Sequence, residues 1–338
     1  MTTILAAIFV FGIIVFSHEF GHFITAKLSG MQVDEFAIGF CPKIIRFQYG
    51  ETLYTWRAIP LGGFNRIQGM TDDESLTDRS FLNQKLWKRF IVISAGAVFN
   101  FLLAIFIFFG VLATVGVPSI NHAPVVGSVV SGSPAARAHV QANDRIISIQ
   151  GQAISSWDDI SPAFKDKANH VVDLVIERDG QEQNVSIIPE DANGRSIIGI
   201  NGQTVFHKMS IGEAAISSVK NTSTIVYSML DGLVGMIVGR DKAELAGPVG
   251  IAQMAGQVAT VGFVYLLQFT ALLSINLGII NLLPLPVLDG GHLILIIVEG
   301  ITGKKLPTKV LEKIQMAGVA LLLVLFIYTT FSDISRLL

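Results

Sequence analysis

Ile4-Leu5-Ala6-Ala7-Ile8-Phe9-Val10-Phe11-Gly12-Ile13-Ile14-Val15-Phe16-Ser17-His18-Glu19-Phe20-Gly21-His22 decides what kind of molecule this is. From Ile4 to Phe16 every side chain is small or apolar, as in a helix that crosses lipid. The two histidines follow at i and i+4, so on a helix they share one face and both imidazoles reach a single metal ion. Glu19 projects close enough to activate a water at that metal, the pattern of a zinc hydrolase. A purely structural reading would leave three polar side chains in lipid without partners. Ionisable residues at that depth are costly and mark function. The stretch therefore points to hydrolysis inside a membrane.

Composition agrees. Of 338 residues, 51% are hydrophobic and 15% charged, against about 25% charged in an ordinary globular domain. A net charge of −2 without a basic face excludes a nucleic-acid partner. The single cysteine, Cys41, excludes an internal disulfide and a cysteine-rich metal site. Met1-Thr2-Thr3 has no basic region, and no small-x-small cleavage site follows the apolar run. The first segment is therefore expected to stay in the protein as a spanning helix.

Four segments, about 4–27, 90–116, 262–284 and 314–333, are long and apolar enough to span. Lys27, Lys43, Arg46, Arg57, Arg66, Arg79, Lys85, Lys88 and Arg89 crowd the first loop, and Lys304, Lys305 and Lys309 precede the fourth span. Basic loops stay cytoplasmic, which places both termini and the 117–261 region outside. Within 31–70, Val33 to Phe40, Lys43 to Tyr49 and Thr52 to Ile59 read as strands. Gly50 and Pro60-Leu61-Gly62-Gly63 read as turns, giving a small sheet or re-entrant hairpin at the inner membrane face.

The outer region holds an α+β module. Val125 to Val130, Arg145 to Ile149, Val171 to Ile176 and Asn184 to Ile188 are strands, and Asp179-Gly180 is a hairpin turn. Ser133 caps a short helix opened by Pro134, and Ile154 to Phe164 reads as a second helix. Residues 207–240 suggest an amphipathic helix pair at the membrane surface. The divisions expected are 1–116, 117–200, 201–261 as an interfacial linker, and 262–338.

A catalytic zinc takes three protein ligands and keeps one open position. The candidate third ligand is Asp289, in Asn281-Leu282-Leu283-Pro284-Leu285-Pro286-Val287-Leu288-Asp289-Gly290-Gly291. The prolines must break the third span, and the glycines permit a tight turn after the aspartate. A break of that kind at membrane depth is tolerated only where protein or a water-filled cavity satisfies the backbone. His292, three residues on, competes for the same place.

His18-Glu19-Phe20-Gly21-His22 together with Asn281-x-x-Pro284-x-Pro286-x-Leu288-Asp289-Gly290 resembles the site-2 protease family of intramembrane zinc metalloproteases. The match is nearest the bacterial branch that cleaves anti-sigma factors, the regulator of sigma-E protease type. Ile38-Gly39-Phe40, Ile59 to Phe64, Trp87-Lys88-Arg89, Asn100-Phe101 and Gly247 to Ile251 extend it along nearly the whole chain. The resemblance implies a polytopic α-helical membrane protein of about four spans, with a membrane-associated β hairpin or sheet on the cytoplasmic side. It also implies that the module at about 123–190 is one extracytoplasmic PDZ-like domain. Zinc would sit on His18, His22 and Asp289, with Glu19 as general base and then acid. Asn281 would hold substrate backbone, and Gly62-Gly63-Phe64 would present a strand edge. Substrates would be single-span proteins of the bacterial inner membrane, anti-sigma factors or signal-peptide remnants, with peptide contact at the PDZ-like domain. Two departures stand out: Ala95-Gly96-Ala97 replaces the branch's frequent Ala-Gly-Pro, and there is room for one PDZ domain rather than two. The rival readings are a catalytically silent PDZ scaffold and an ion transporter, for which intact Glu19 and a large soluble module have no use.

Overall fold

The computed structural model describes residues 1–70, 76–192, 194–241, 246–304 and 308–336, so Lys305 of the basic loop lies outside the described residues. The chain forms two compact units, Met1–Val111 with Ile211–Leu338, and Leu112–Ser210.

Helix α1 runs Thr2–Leu28. Its stripe Ala6, Val10 and Ile14 is buried in one apolar cluster with Ala255 and Leu266. Continuing that stripe by fours reaches His18, His22 and Ala26, so the ridge that packs the helix also carries the histidines inward. After it come β1 (Val33–Tyr49) and β2 (Thr52–Ile67). Their register shows more than a hairpin. Lys43 to Tyr49 pairs with Thr52 to Arg57, Leu53 to Trp56 pairs again with Glu35 to Ile38, and Glu35 to Ile38 pairs with Gly63 to Arg66. Each strand is thus bent into two segments, and together they make a four-stranded antiparallel sheet. Its segment from Gly63 to Ile67 has a partner on one side only, among the described residues. The expected strands form, but Pro60 to Gly63 is not a turn between elements. The bend falls at Gly62, whose φ of +128° only glycine adopts readily, and Gly63 already belongs to the edge segment.

Helix α2 (Leu86–Thr114) is unbroken through Ala95-Gly96-Ala97. The second unit follows with β3 (Val117–Ile120), β4 (Val126–Val129), α3 (Pro134–Arg137), β5 (Arg145–Ile149), β6 (Gln152–Ala153), α4 (Ile160–Ala163), β7 (Val172–Arg178) and β8 (Gln181–Ile187). It closes with β9 (Glu190–Ala192), β10 (Arg195–Ile197), β11 (Ile200–Gly202) and β12 (Thr204–His207). Strands β6-β5-β7-β8 form one sheet, while β4 pairs β11 and β3 pairs β12. Val172, Leu174 and Ile176 alternate inward from β7 onto Ile146, Ile149, Phe164 and Ile187. Ser133 caps α3 through Ala136 N. The helix expected from Ile154 to Phe164 is shorter, because Asp159 accepts from the backbone of Ser155 and Ser156 in a capping box that delays the helical stretch to Trp157, from which it runs to Ala163. Pairing of β11 and β12 carries this unit to Ser210, past the boundary at 200 that composition suggests.

The first unit resumes with α5 (Ile211–Ile237), one continuous helix where a pair was expected, and α6 (Pro248–Val261). Then come α7 (Phe263–Asn281), α8 (Asp289–Thr302) and α9 (Thr308–Ser335). Asp333 on α9 accepts from the backbone N–H groups of Gly247 and Gly250, capping α6 across the fold. Among the described residues, four helices are long and apolar enough to cross a membrane: Thr2–Leu28, Leu86–Thr114, Phe263–Asn281 and Lys313–Ser335.

The sheet's far turn is pinned by charge. Glu51 accepts from Arg79 Nη1 and Nη2 at 2.7 and 2.8 Å and from Lys27 Nζ at 2.6 Å. These donors, Arg79 foremost, hold its carboxyl down at about 2. Because the folded value lies below the ordinary one, this stabilisation is complete above about pH 4.5 and fades as pH falls toward 2. Amide exchange across Tyr49 to Thr52, taken relative to the intrinsic rate, should therefore accelerate between pH 4.5 and 2.5 in the native protein. In Glu51→Gln it should already be fast at pH 6 and change little on acidification beyond the intrinsic rate.

Candidate metal centre

Three ligand atoms meet at one point. His18 Nε2 and His22 Nε2 lie 3.2 Å apart, and Asp289 Oδ2 is 3.4 Å from the first and 3.5 Å from the second. Neighbouring ligands on a tetrahedral zinc with bonds of about 2.0–2.1 Å stand about 3.4 Å apart. Asp289 Oδ2 is buried and has no hydrogen-bond donor among the described residues. Three acceptor-type atoms converging with no shared donor make an arrangement that a cation satisfies and a proton network does not. The residues present fit a metal ion.

The approach of each ligand has a local cause. His22 Nδ1 meets the Val92 carbonyl on α2 at 2.8 Å; donating there fixes the tautomer that leaves Nε2 free. Asn100 Nδ2 and Asn281 Nδ2 each come within 3.5 Å of His18 Nδ1. Asn100 Oδ1 is buried and unpartnered, so turning that amide over gives His18 Nδ1–H an acceptor. Gly96 is the floor of the site: a Cβ there would collide with His22 Nε2 and lie 2.6 Å from His18 Cε1. Gly21 has the reciprocal role, its missing Cβ making way for the Ala95 carbonyl. The two spans approach this closely because small residues face each other.

Asp289 arrives differently from expectation. It does not end the third span but opens a new helix, α8, after Leu282 to Leu288. Pro284 and Pro286 prevent α7 from continuing. Gly290 and Gly291 are not a turn but the first turn of α8. They are small because Cβ atoms there would strike the carbonyls of Leu283 and Leu285. Farther along α8, Glu299 takes both its oxygens to Arg89 Nη1 of α2, at 3.0 and 2.9 Å. That buried pair ties the aspartate's helix to the helix that supports the histidines.

A cavity of about 280 Å³ opens on the three ligands and is also lined by Glu19, Gly63, Phe64, Asn65, Asn281 and His292. Gly62 does not line it; it packs under the Phe40 ring. His292 does not join the ligand group, its Nδ1 lying 3.2 Å from the Leu288 carbonyl of its own helix. Glu19 accepts from Asn65 Nδ2 at 2.7 Å on Oε2 and at 2.9 Å on its main-chain oxygen. Gly63 lies against Glu19, a Cβ there coming 2.7 Å from Glu19 Cγ. Sequence reading missed Asn65, Gly96 and the Val92 carbonyl. Only Gly96 left a signal, as a glycine among small residues in a spanning helix.

Comparison with known proteins places this geometry. Residues 6–325 match the model of peptidase family M50. The chain is 31% identical over 421 residues to the regulator of sigma-W protease RasP of Bacillus subtilis, covering 100% of this chain and 99% of that one. It is 31% identical over 419 residues to the zinc metalloprotease RasP of Bacillus licheniformis, covering both chains completely. A PDZ domain of an SdrC-like protein of Listeria monocytogenes aligns with 25% of this chain and 90% of its own, at 24% identity and a TM-score of 0.22. That likeness is too slight to carry an argument.

The packing of Gly96 sets a test. Gly96→Val should weaken metal affinity by about 10- to 100-fold in a competition titration with a chelator, because both imidazoles must move. Gly12→Val, on the same pair of spans but with no atom within 4 Å of the added Cβ, should leave it unchanged.

Proposed function

The chain belongs to peptidase family M50 and is a zinc metalloprotease, and from that premise we propose that it cuts single-span membrane proteins at bilayer depth. The observation that carries this is the meeting of His18, His22 and Asp289 beside Glu19, on helices long and apolar enough to span. His18 Nε2, His22 Nε2 and Asp289 Oδ2 would hold the zinc. Bound there, zinc supplies a Lewis acid that polarises a carbonyl and brings water's pKa to about 7.

The chain's own groups do the rest. Glu19 takes the proton of the attacking water on Oε1 and returns it to the leaving amine nitrogen. Asn281, on the cavity wall, donates from its amide to substrate backbone. The edge segment from Gly63 to Ile67, with Phe64 beside the cavity, pairs with an extended stretch of substrate. Such pairing offsets the hydrogen bonds that a substrate helix gives up on unwinding. The basic residues between α1 and α2 support a cytoplasmic position for that loop, with both termini and the PDZ-like unit outside. The Bacillus subtilis relative is named a regulator of sigma-W protease, and membrane-anchored regulators of a sigma factor are the substrate class this reading favours.

Reconstituted with a labelled single-span substrate, Glu19→Gln should cleave about 10²- to 10⁴-fold more slowly than wild type while keeping one zinc per chain. Asp289→Asn and His22→Ala should lose zinc by elemental analysis, and His292→Ala should retain it. Equal cleavage by wild type and Glu19→Gln refutes the assignment of the base. Zinc lost from His292→Ala but kept by Asp289→Asn refutes the ligand set.

A further inference from the structure

The four-stranded sheet and the histidine helix are joined at one side chain. Asn65 stands in the edge segment, between Phe64 and Arg66, which pair with Ala37 and Glu35. Its Nδ2 reaches off the sheet to α1 and donates twice, to Glu19 Oε2 at 2.7 Å and to the Glu19 main-chain oxygen at 2.9 Å. The main-chain oxygen belongs to α1, so the second bond anchors the amide to the helix while the first aims the carboxylate.

The other half of this amide is equally informative. Asn65 Oδ1 is buried and has no partner among the described residues. Turning the amide over would set that oxygen against both Glu19 oxygens, so the orientation is imposed by Glu19 alone. An asparagine kept for packing would have its acceptor satisfied elsewhere. Gly63, two residues before, adds the fit: without a side chain it lets the strand lie directly on Glu19 Cγ.

We propose that Asn65 is the positioning residue for the general base, holding the Glu19 carboxylate from the same strand segment that offers its edge to substrate. The proposal rests on the reading of Glu19 as base. Its consequence is that docking and chemistry share a support. A substrate strand pairing on the segment from Gly63 to Ile67 steadies the segment, and Asn65 passes that steadiness to Glu19. Asn65 hydrogen-bonds Glu19 and none of the three proposed ligand atoms. Its loss should therefore appear in kcat and not in KM or metal content.

The test uses the full chain, loaded with zinc, in detergent or vesicles, and a labelled single-span substrate. Asn65→Leu and the same-sized Asn65→Asp, which lacks the donor, should each lower kcat about 10- to 100-fold. KM should stay within twofold, zinc at one per chain, and thermal unfolding near that of wild type. Asn65→Gln, which keeps an amide donor, should recover most of the loss. Amide exchange of residues 63–67 should quicken in Asn65→Leu without substrate, a readout independent of turnover. In a Glu19→Gln background, adding Asn65→Leu should cause no further loss of the residual rate, since the residue acts only through the carboxylate. The proposal is overturned by kcat within threefold of wild type in Asn65→Leu, by a loss that appears in KM or zinc content, or by Asn65→Gln as impaired as Asn65→Leu. An additive loss in the double variant overturns it too. If Asn65→Leu fails to fold, Asn65→Asp decides by the same criteria. Failure of the protease reading is distinct: wild type would then cleave nothing, or Glu19→Gln would match it.

Discussion

Two imidazoles and a carboxylate brought together among apolar helices must be given a charge partner, and much of the first unit is arranged around that requirement. The i+4 ridge of α1 begins as Ala6, Val10 and Ile14 and continues as His18 and His22, so packing and ligation use one face. The neighbouring span answers with Gly96 in place of any larger side chain and with the Val92 carbonyl for the second nitrogen of His22. Asp289, the proposed third ligand, opens a helix that begins after the prolines have stopped α7 from continuing. Its angle is held from the other end by the pair between Arg89 and Glu299. Breaking one half of such a buried pair leaves the other uncompensated, so the constraint reaches well beyond the ligands.

The same economy shapes the sheet. Residues 33–67 would make an ordinary hairpin if their strands were straight. Bends at Gly39 and Gly62 fold each strand back, turning two strands into four and bringing the last segment against α1. That segment is left with one unpaired side, beside the cavity and in contact with Glu19. An exposed edge is normally a hazard that proteins suppress. Here it lies beside the proposed ligands and is the edge on which we propose that a substrate pairs, since a helix that surrenders its hydrogen bonds needs a template offering others.

The helical part of the fold was readable with little help. Spans at about 4–27, 90–116, 262–284 and 314–333 fall close to the helices found, since length and apolar content leave few alternatives in lipid. The β-rich loop was readable as strands in a small sheet or hairpin, but the bends that divide two strands into four segments were not. Gly63-Phe64-Asn65-Arg66-Ile67 has no alternating pattern of its own and becomes a strand only by pairing with Glu35 to Ile38. The second helix of the soluble unit was overestimated because periodicity cannot see a capping box that makes a helix start late.

By itself the sequence determined which groups the proposed centre would draw on. Two histidines at i and i+4 must share a helical face, a glutamate between them must lie near, and an aspartate after a double-proline break is the natural third ligand. Those statements follow from covalent spacing and helical period, which any fold inherits. Tertiary structure alone decided how Asp289 reaches the histidines, that His292 stays on its own backbone, and that Gly96 and Asn65 matter. Such facts depend on which surfaces meet across tens or hundreds of residues. No local pattern encodes the distance from Asn65 to Glu19; it exists only once a bent strand has been laid along the helix that carries the ligands.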